Sequence, residues 1–294
     1  MRRPLLFWRR CCQVCIALGF IVVPLLNARR ITVISGNLLS LDFFGLTFVD
    51  PLAFLQTLAG GWPAAKAATG AVLVLLSTLL LGRIFCGWIC PYGLASELIC
   101  AIQGKRRAHN NRESVQMQAV GIRAFAARAA VTVFGLLAVL LFLPEPYLNQ
   151  LSMPGWYTRA MQHAVLFGLP LYGALFFLVL LLVEGFTGRR VWCRFLCPQS
   201  VLLSLCAAFA RPGLRLRFAR KQCACAGTDR PCLAACSLAL NPRDITVVQR
   251  LNCTNCGDCV DACRSRGKAL RLALRDLEAA ASATRPGGAG LYEH

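Results

Sequence analysis

The sequence predicts an all-α membrane domain of four transmembrane helices, built as a duplicated two-helix unit, followed by a small cysteine-rich α+β domain. Three observations carry this reading. Hydrophobic residues make up 57% of the 294, and the mean hydropathy of +0.57 lies above that of ordinary soluble chains. Apolar runs of membrane-spanning length recur along the chain, and its 17 cysteines fall mostly in close groups. The formal charge of +19 sits in arginines and lysines beside those runs, as in cytoplasmic loops facing anionic lipid. These cations are not interleaved with aromatic residues, so nucleic acid is not an expected partner.

A hydrocarbon core takes about 20 mostly apolar residues per helix, with roughly 17 as the lower limit. The first run is Cys11–Asn27. Arg2, Arg3, Arg9 and Arg10 before it resemble a leader sequence, but "PLLNARR" offers no small-x-small cleavage site, so an uncleaved span is expected. The second is Ala64–Leu81, with Lys66 able to snorkel outward. The third is Phe125–Leu143, with Arg128 near its inner end, and the fourth is Ala164–Val183, where Pro170 is tolerable in lipid. Between spans two and three lie Arg83, Lys105, Arg106, Arg107, Arg112 and Arg123, whereas the opposite loops carry only Arg29, Arg30 and Arg159. Both termini of this multi-pass chain are therefore expected in the cytoplasm.

In the first outer loop, Asp50-Pro51 reads as an N-cap with proline at the first helical position, opening a short helix in the outer interface. The expected boundaries are a membrane domain over 1–210, a cytoplasmic domain over 211–272 and a disordered tail over 273–294.

The duplication is legible in the residues. Arg83-Ile84-Phe85-Cys86 aligns with Arg190-Val191-Trp192-Cys193, and Cys90-Pro91 aligns with Cys197-Pro198. Each Cys-x-x-x-Cys-Pro segment follows an apolar run and precedes a short apolar helix, the pattern of two units related by a pseudo-two-fold axis along the membrane normal. Three intervening residues place each cysteine pair about one helical turn apart, so both sulfurs can point the same way. Cys86, Cys90, Cys193 and Cys197 are then candidate metal ligands, for a further iron–sulfur cluster, copper or zinc, or a dithiol/disulfide pair. Cys11, Cys12, Cys15, Cys100 and Cys206 lie in apolar segments and read as packing residues.

The most specific pattern is "CTNCGDCVDAC", in which Cys253, Cys256, Cys259 and Cys263 have the spacing of a bacterial 4Fe–4S run. Gly257 permits the tight turn between ligands, and zinc would normally ask for two separated pairs instead. Upstream, "CACAGTDRPCLAAC" supplies Cys223, Cys225, Cys232 and Cys236, with a normal second half and an irregular first. Eight cysteines in two quartets suit a ferredoxin-like domain with two 4Fe–4S clusters and exchanged fourth ligands. One set is then Cys223, Cys225, Cys232 and Cys263, the other Cys253, Cys256, Cys259 and Cys236. Such thiolates call for a reducing compartment.

Taken with "DPLAFLQTLAGG" at 50–61, "CGWICP" at 86–91 and "CRFLCP" at 193–198, the pattern resembles the NapH/MauN group of ferredoxin-type integral membrane proteins. Two departures stand out: Ser237 follows Cys236 where proline is usual, and the Cys223–Cys232 spacing is irregular. The resemblance implies electron exchange with the quinone pool. It also implies service as a quinol dehydrogenase component of a periplasmic respiratory or dehydrogenase system, with redox partners of periplasmic ferredoxin or multihaem cytochrome type.

The chain has three histidines, none paired within a span, and no Gly-x-Gly-x-x-Gly, so neither bis-histidine haem nor a dinucleotide is expected. Acidic residues beside spans are functional candidates, namely Asp50, Glu97, Glu145 and Glu184. Asp50, with Gln56 on the same short helix, is the candidate proton acceptor for quinol, against its plain role as an N-cap. The alternative function is metal maturation, with the clusters driving a copper ion or disulfide at the Cys-x-x-x-Cys-Pro segments.

Overall fold

The computed structural model describes residues 5–29, 34–36, 40–43, 46–59, 68–102, 121–142, 152–168, 171–188, 190–209, 213–225, 230–243, 251–264 and 267–274. Among them the chain is mostly helical, with two small antiparallel sheets. Helix α1 (Leu5–Ala28) is about 36 Å long at 1.5 Å per residue. It is the one helix among the described residues that is long and apolar enough to cross a membrane. Two of its polar side chains, Arg9 and Gln13, are nevertheless fully buried, which marks one face of α1 as an interior surface.

The segment after α1 differs from the expected outer loop. Strands β1 (Ile34–Gly36), β2 (Ser40–Phe43) and β3 (Leu46–Val49) form an antiparallel sheet with Ile34 opposite Phe43 and Ser40 opposite Val49. Their alternation is short and set in an almost uniformly apolar stretch, which hides a period of two. Helix α2 (Pro51–Ala59) then opens as expected: Pro51 is its first residue and the Leu52 N–H donates to Asp50 Oδ2 at 3.2 Å. One face of it is buried, with Asp50, Leu52 and Ala53, while Leu58 is half exposed.

Helix α3 (Ala68–Leu81), a turn at Phe85–Ile89 and helix α4 (Pro91–Ile102) complete the first half. Residues 64–67 of the expected second span lie outside the described residues. The second half comprises α5 (Gly121–Phe142), α6 (Met153–Phe167), α7 (Leu171–Thr187), a turn at Trp192–Leu196 and α8 (Pro198–Ala208). The expected fourth span over Ala164–Val183 is not one helix. Helix α6 ends at Phe167, and Gly168 takes the left-handed conformation (φ 74°) with its N–H on Ala164 O, a glycine C-cap that turns the chain before α7 begins. A run of hydrophobic residues cannot by itself distinguish a continuous span from a hairpin of two packed helices.

The two halves correspond element by element. Packing of α2 on α3 matches α6 on α7, and α1 on α4 matches α5 on α8. Across the halves, α1 on α6 matches α5 on α2, α3 on α8 matches α7 on α4, and α2 on α8 matches α6 on α4. Each half thus lends its short post-cysteine helix to the other, and neither buries its interior face alone.

The cysteine-rich segment is closed by strand β4 (Leu214–Phe218) pairing with β5 (Leu270–Leu274), Leu214 opposite Leu274. Between them sit short helices α9 (Pro231–Ala235) and α10 (Asp258–Cys263). Cys232, Cys259, Val260, Cys263, Ala269 and Leu270 form the core there. Strand β5 runs just past the expected boundary at 272, and residues 275–294 lie outside the described residues.

Candidate functional site

Both Cys-x-x-x-Cys segments wind π turns rather than the α turns that their spacing implied. The Cys90 N–H donates to Phe85 O at 3.0 Å and the Cys197 N–H to Trp192 O at 2.9 Å, each bond spanning five residues. Both second cysteines then leave the turn in extended conformation, with ψ 120° at Cys90 and 114° at Cys197, as a following proline demands. Pro91 and Pro198 open α4 and α8, where a missing N–H costs no helical bond.

The four thiols face one another across the two halves. Cys90 lies within electrostatic reach of Cys86, Cys193 and Cys197, and both Cys193 and Cys197 within reach of Cys86. Phe85, Tyr92, Met153, Trp192 and Leu203 pack around them. Among the described residues no three thiols, imidazoles or carboxylates are drawn to metal-ligating distance, so the tetrad is a converging set and not a closed shell. Gly93 packs closely on the first turn, where a Cβ would stand 2.7 Å from Cys86 O.

Arginines precede both pairs. Arg83 donates to Ser200 Oγ at 2.7 Å, to Leu251 O at 2.9 Å and weakly to Cys86 Sγ at 4.0 Å. Arg190 donates to Cys193 Sγ at 3.4 Å and pairs with Glu97 at 3.3 Å. Glu97 also holds Arg9 at 2.8 Å and Arg10 at 3.1 Å, and Arg9 reaches Asp258 at 2.9 Å. Glu184 accepts from Ser96 Oγ and from the Trp192 N–H.

The C-terminal cysteines gather as two quartets. Cys259 lies within electrostatic reach of Cys256, Cys253 and Cys236, and Cys232 within reach of Cys263 and Cys225. Cys223 is bonded to Cys225 and to Arg243, contacts that lower its pKa, the Cys225 backbone bond most. Burial pushes the Cys253 thiol up to about 11 and raises those of Cys256 and Cys259 as well. Buried thiols without a cation stay protonated, whereas a polycationic iron–sulfur core supplies the missing positive charge. An all-sulfur donor set of this kind fits such a core, and the Leu240 N–H already donates to Cys236 Sγ at 3.3 Å.

The loop bearing Cys253 sits on the first π turn. Trp88 Nε1 donates to Asn255 O at 3.3 Å, and Asn255 Nδ2 donates to Leu81 O and Leu214 O, each at 2.9 Å. A Cβ on Gly87 would stand 3.0 Å from Thr254 O. Gly257 is held at φ 84°, a conformation that favours glycine, and a Cβ there would meet the Leu5 side chain. Gln13 Nε2 on α1 donates to Gly87 O at 2.8 Å. The quartet containing Cys253 is therefore proximal to the tetrad.

Segments 64–109 and 169–217 each match the family described as a 4Fe-4S binding domain, and they enclose the two cysteine pairs of the tetrad. The methylamine utilization ferredoxin-type protein MauN of Paracoccus denitrificans is 31% identical over 75% of this chain and 74% of its own length. The chain belongs to the MauN/NapH ferredoxin-type family. The ferredoxin-type proteins NapH of Haemophilus influenzae and Escherichia coli are 26% and 28% identical, over 89% and 87% of this chain and 87% and 85% of theirs. No solved structure matches the chain. The family and the matched segments place it among iron–sulfur electron-transfer proteins of the 4Fe–4S kind.

For this MauN/NapH-type chain, the remaining candidates resolve as follows. Asp50 lies deep in the molecule, where its Oδ1 accepts from Gln199 Nε2, two residues beyond Cys197. The side chain of Gln56 and the whole of Glu145 lie outside the described residues. Glu97 and Glu184 join the network beside the tetrad. Cys100 is fully buried, as a packing residue would be, whereas Cys15 is exposed. Sequence reasoning passed over Arg9, Gln13, Ser200 and Gln199. Arg9 and Gln13 did carry a signal, as polar side chains at i, i+4 on one face of an apolar helix.

Proposed function

We propose that this chain is a multi-pass protein of the bacterial inner membrane that exchanges electrons with the quinone pool. It would act as a quinol dehydrogenase component for a periplasmic respiratory or dehydrogenase system. The observation that carries this reading is the Asp50–Gln199 pair, buried beside Cys197 and close to a tetrad on which the proximal quartet is docked. A proton acceptor, a thiol centre and a ferredoxin-like unit are thereby adjacent.

Four spans, with 1–210 as the membrane domain and 211–272 as the cytoplasmic domain, are supported by apolar side chains turned outward, including Val131, Phe134 and Phe186. Cys223, Cys225, Cys232 and Cys263 would hold one 4Fe–4S cluster, Cys236, Cys253, Cys256 and Cys259 the second, and Cys86, Cys90, Cys193 and Cys197 a further metal centre. Each cluster, when bound, supplies one-electron storage. Quinol oxidation releases two electrons and two protons. Asp50 would take one proton at its carboxylate while Gln199 orients that group, the second proton would leave to solvent, and the two electrons would pass one to each 4Fe–4S cluster. The relatives named for methylamine utilization support service to such a system.

The test is iron and sulfide content of anaerobically purified protein, with reduction by a soluble quinol analogue followed by EPR. About eight irons for two clusters, reduced by the quinol analogue, is the expected minimum. Near four would remove the distal cluster. Full clusters that ignore the quinol would favour the maturation role instead, above all if copper is retained through Cys86, Cys90, Cys193 and Cys197.

A further inference from the structure

Resting on the reading that the tetrad binds a metal centre, we infer that its occupant is a dianion, four thiolates around a dipositive core, with Arg83 and Arg128 as its counter-charges. Arg83 is 2% exposed. It and Arg128 share one acceptor, Ser200 Oγ, at 2.7 and 3.0 Å. Their other partners are neutral: Leu251 O for Arg83, Asn252 Oδ1 for Arg128, and the Cys86 sulfur at 4.0 Å. Among the described residues neither forms a salt bridge, and the Nε of each is buried without a partner.

Three other described arginines are matched. Arg9, Arg10 and Arg190 stand against Glu97, Asp258 and Glu184. Asp50 is engaged by Gln199 and the Leu52 N–H, not by a guanidinium. Two like charges on one hydroxyl, inside a poorly polarisable interior, repel unless an anion lies close. Arg128 is within electrostatic reach of Cys197 and Cys193 as well as of Arg83 and of Arg194, whose own guanidinium donates to Leu238 O at 3.0 Å, and Cys197 is within reach of Arg83.

The charge of each occupant decides between them. Four neutral thiols or two disulfides carry no charge and leave both guanidiniums uncompensated. Two thiolates on cuprous copper carry a single negative charge. Four thiolates on a 4Fe–4S core in its oxidised state, or on one divalent metal, carry two, which matches the pair. The 4Fe-4S binding segments enclosing these cysteines favour the first of those two.

The test compares wild type, Arg83→Gln, Arg128→Gln, Arg83→Lys and a Cys86→Ser/Cys193→Ser variant, purified anaerobically. Iron, sulfide, zinc and copper contents are measured alongside redox-titrated EPR. Iron and sulfide above the two-cluster level, lost in the double serine variant, would identify the core as a cluster, and zinc lost there would identify a single divalent metal. For a cluster, each glutamine variant is expected to shift the oxidised-to-reduced ratio about tenfold toward oxidised, which is ~59 mV for one electron. Arg83→Lys should restore the wild-type ratio, and the C-terminal cluster signals should not move. For zinc, chelator extraction should become about tenfold easier. Arg128 is only partly buried, so its variant remains informative if Arg83→Gln does not fold. A metal centre indifferent to both glutamine variants overturns the counter-charge assignment and leaves the metal reading intact. No metal, with disulfides found on thiol counting, overturns the metal reading itself.

Discussion

Asp50 and Gln199 stand 149 positions apart and bond side chain to side chain. The contact joins the start of α2, in the first half, to the first turn of α8 in the second. The corresponding position after the other cysteine pair is Tyr92, which sits instead in the apolar cluster with Met153 and Trp192. The duplicated positions have thus diverged, an amide bonded to a carboxylate in one half and a tyrosine ring packed beside the tetrad in the other.

Asp50→Asn should leave iron and sulfide content unchanged and slow quinol-driven cluster reduction by on the order of 10²-fold, the lower range for loss of a general base. Stopped-flow bleaching of the cluster absorbance measures this. An unchanged rate would reduce Asp50 to an N-cap.

Arg9→Met removes the cation shared by Glu97 and Asp258; Glu97 keeps Arg10 and Arg190, while the half-buried Asp258 loses its guanidinium partner. The expected cost is ~3–5 kcal/mol, read as a lower unfolding temperature in detergent. Because Arg9 also donates to Cys256 O at 3.1 Å, iron loss should begin at the proximal quartet. Uniform loss from both quartets would contradict that attachment.

Gly257→Ala forces a left-handed alanine, at roughly 1–2 kcal/mol, and drives a Cβ into Leu5 Cδ2. Leu5 can move, so Gly257→Ala/Leu5→Ala should recover part of the iron content and not all of it. Full recovery would show that crowding alone, and not φ, dictates glycine here.

Gly93→Ser would make the first post-cysteine turn match the second, where Ser200 stands. It should still fail, since the added Cβ would meet Cys86 O at 2.7 Å and Arg190 Nη2 at 3.2 Å. The expected outcome is loss of tetrad metal with C-terminal EPR signals intact. Wild-type metal content would show that the two halves are interchangeable at this point.

Composition, periodicity and cysteine spacing were enough to read a helical chain, the repeated Cys-x-x-x-Cys-Pro unit, the proline-opened helix after Asp50 and the glycine demand at Gly257. These are local properties: each depends on residues within a turn or two of one another. The hairpin at Gly168, the π geometry of both cysteine turns and the sheet over residues 34–49 were not legible. Uniform hydrophobicity masks a helix break and a two-residue period, and spacing alone does not separate a four-residue from a five-residue turn.

The site itself came from tertiary structure. Asp50 moved from an expected outer surface to a buried partner of Gln199, because α2 packs against α8 of the opposite half. Arg83, in the cationic loop after the expected second span, and Arg128, near the inner end of the expected third, converge on Ser200 beside the tetrad. Which carboxylates neutralise which arginines, and which arginines are left to the thiols, depends on contacts between segments more than a hundred residues apart. Sequence supplies the ligand chemistry; the crossing of the two halves decides the charge that surrounds it.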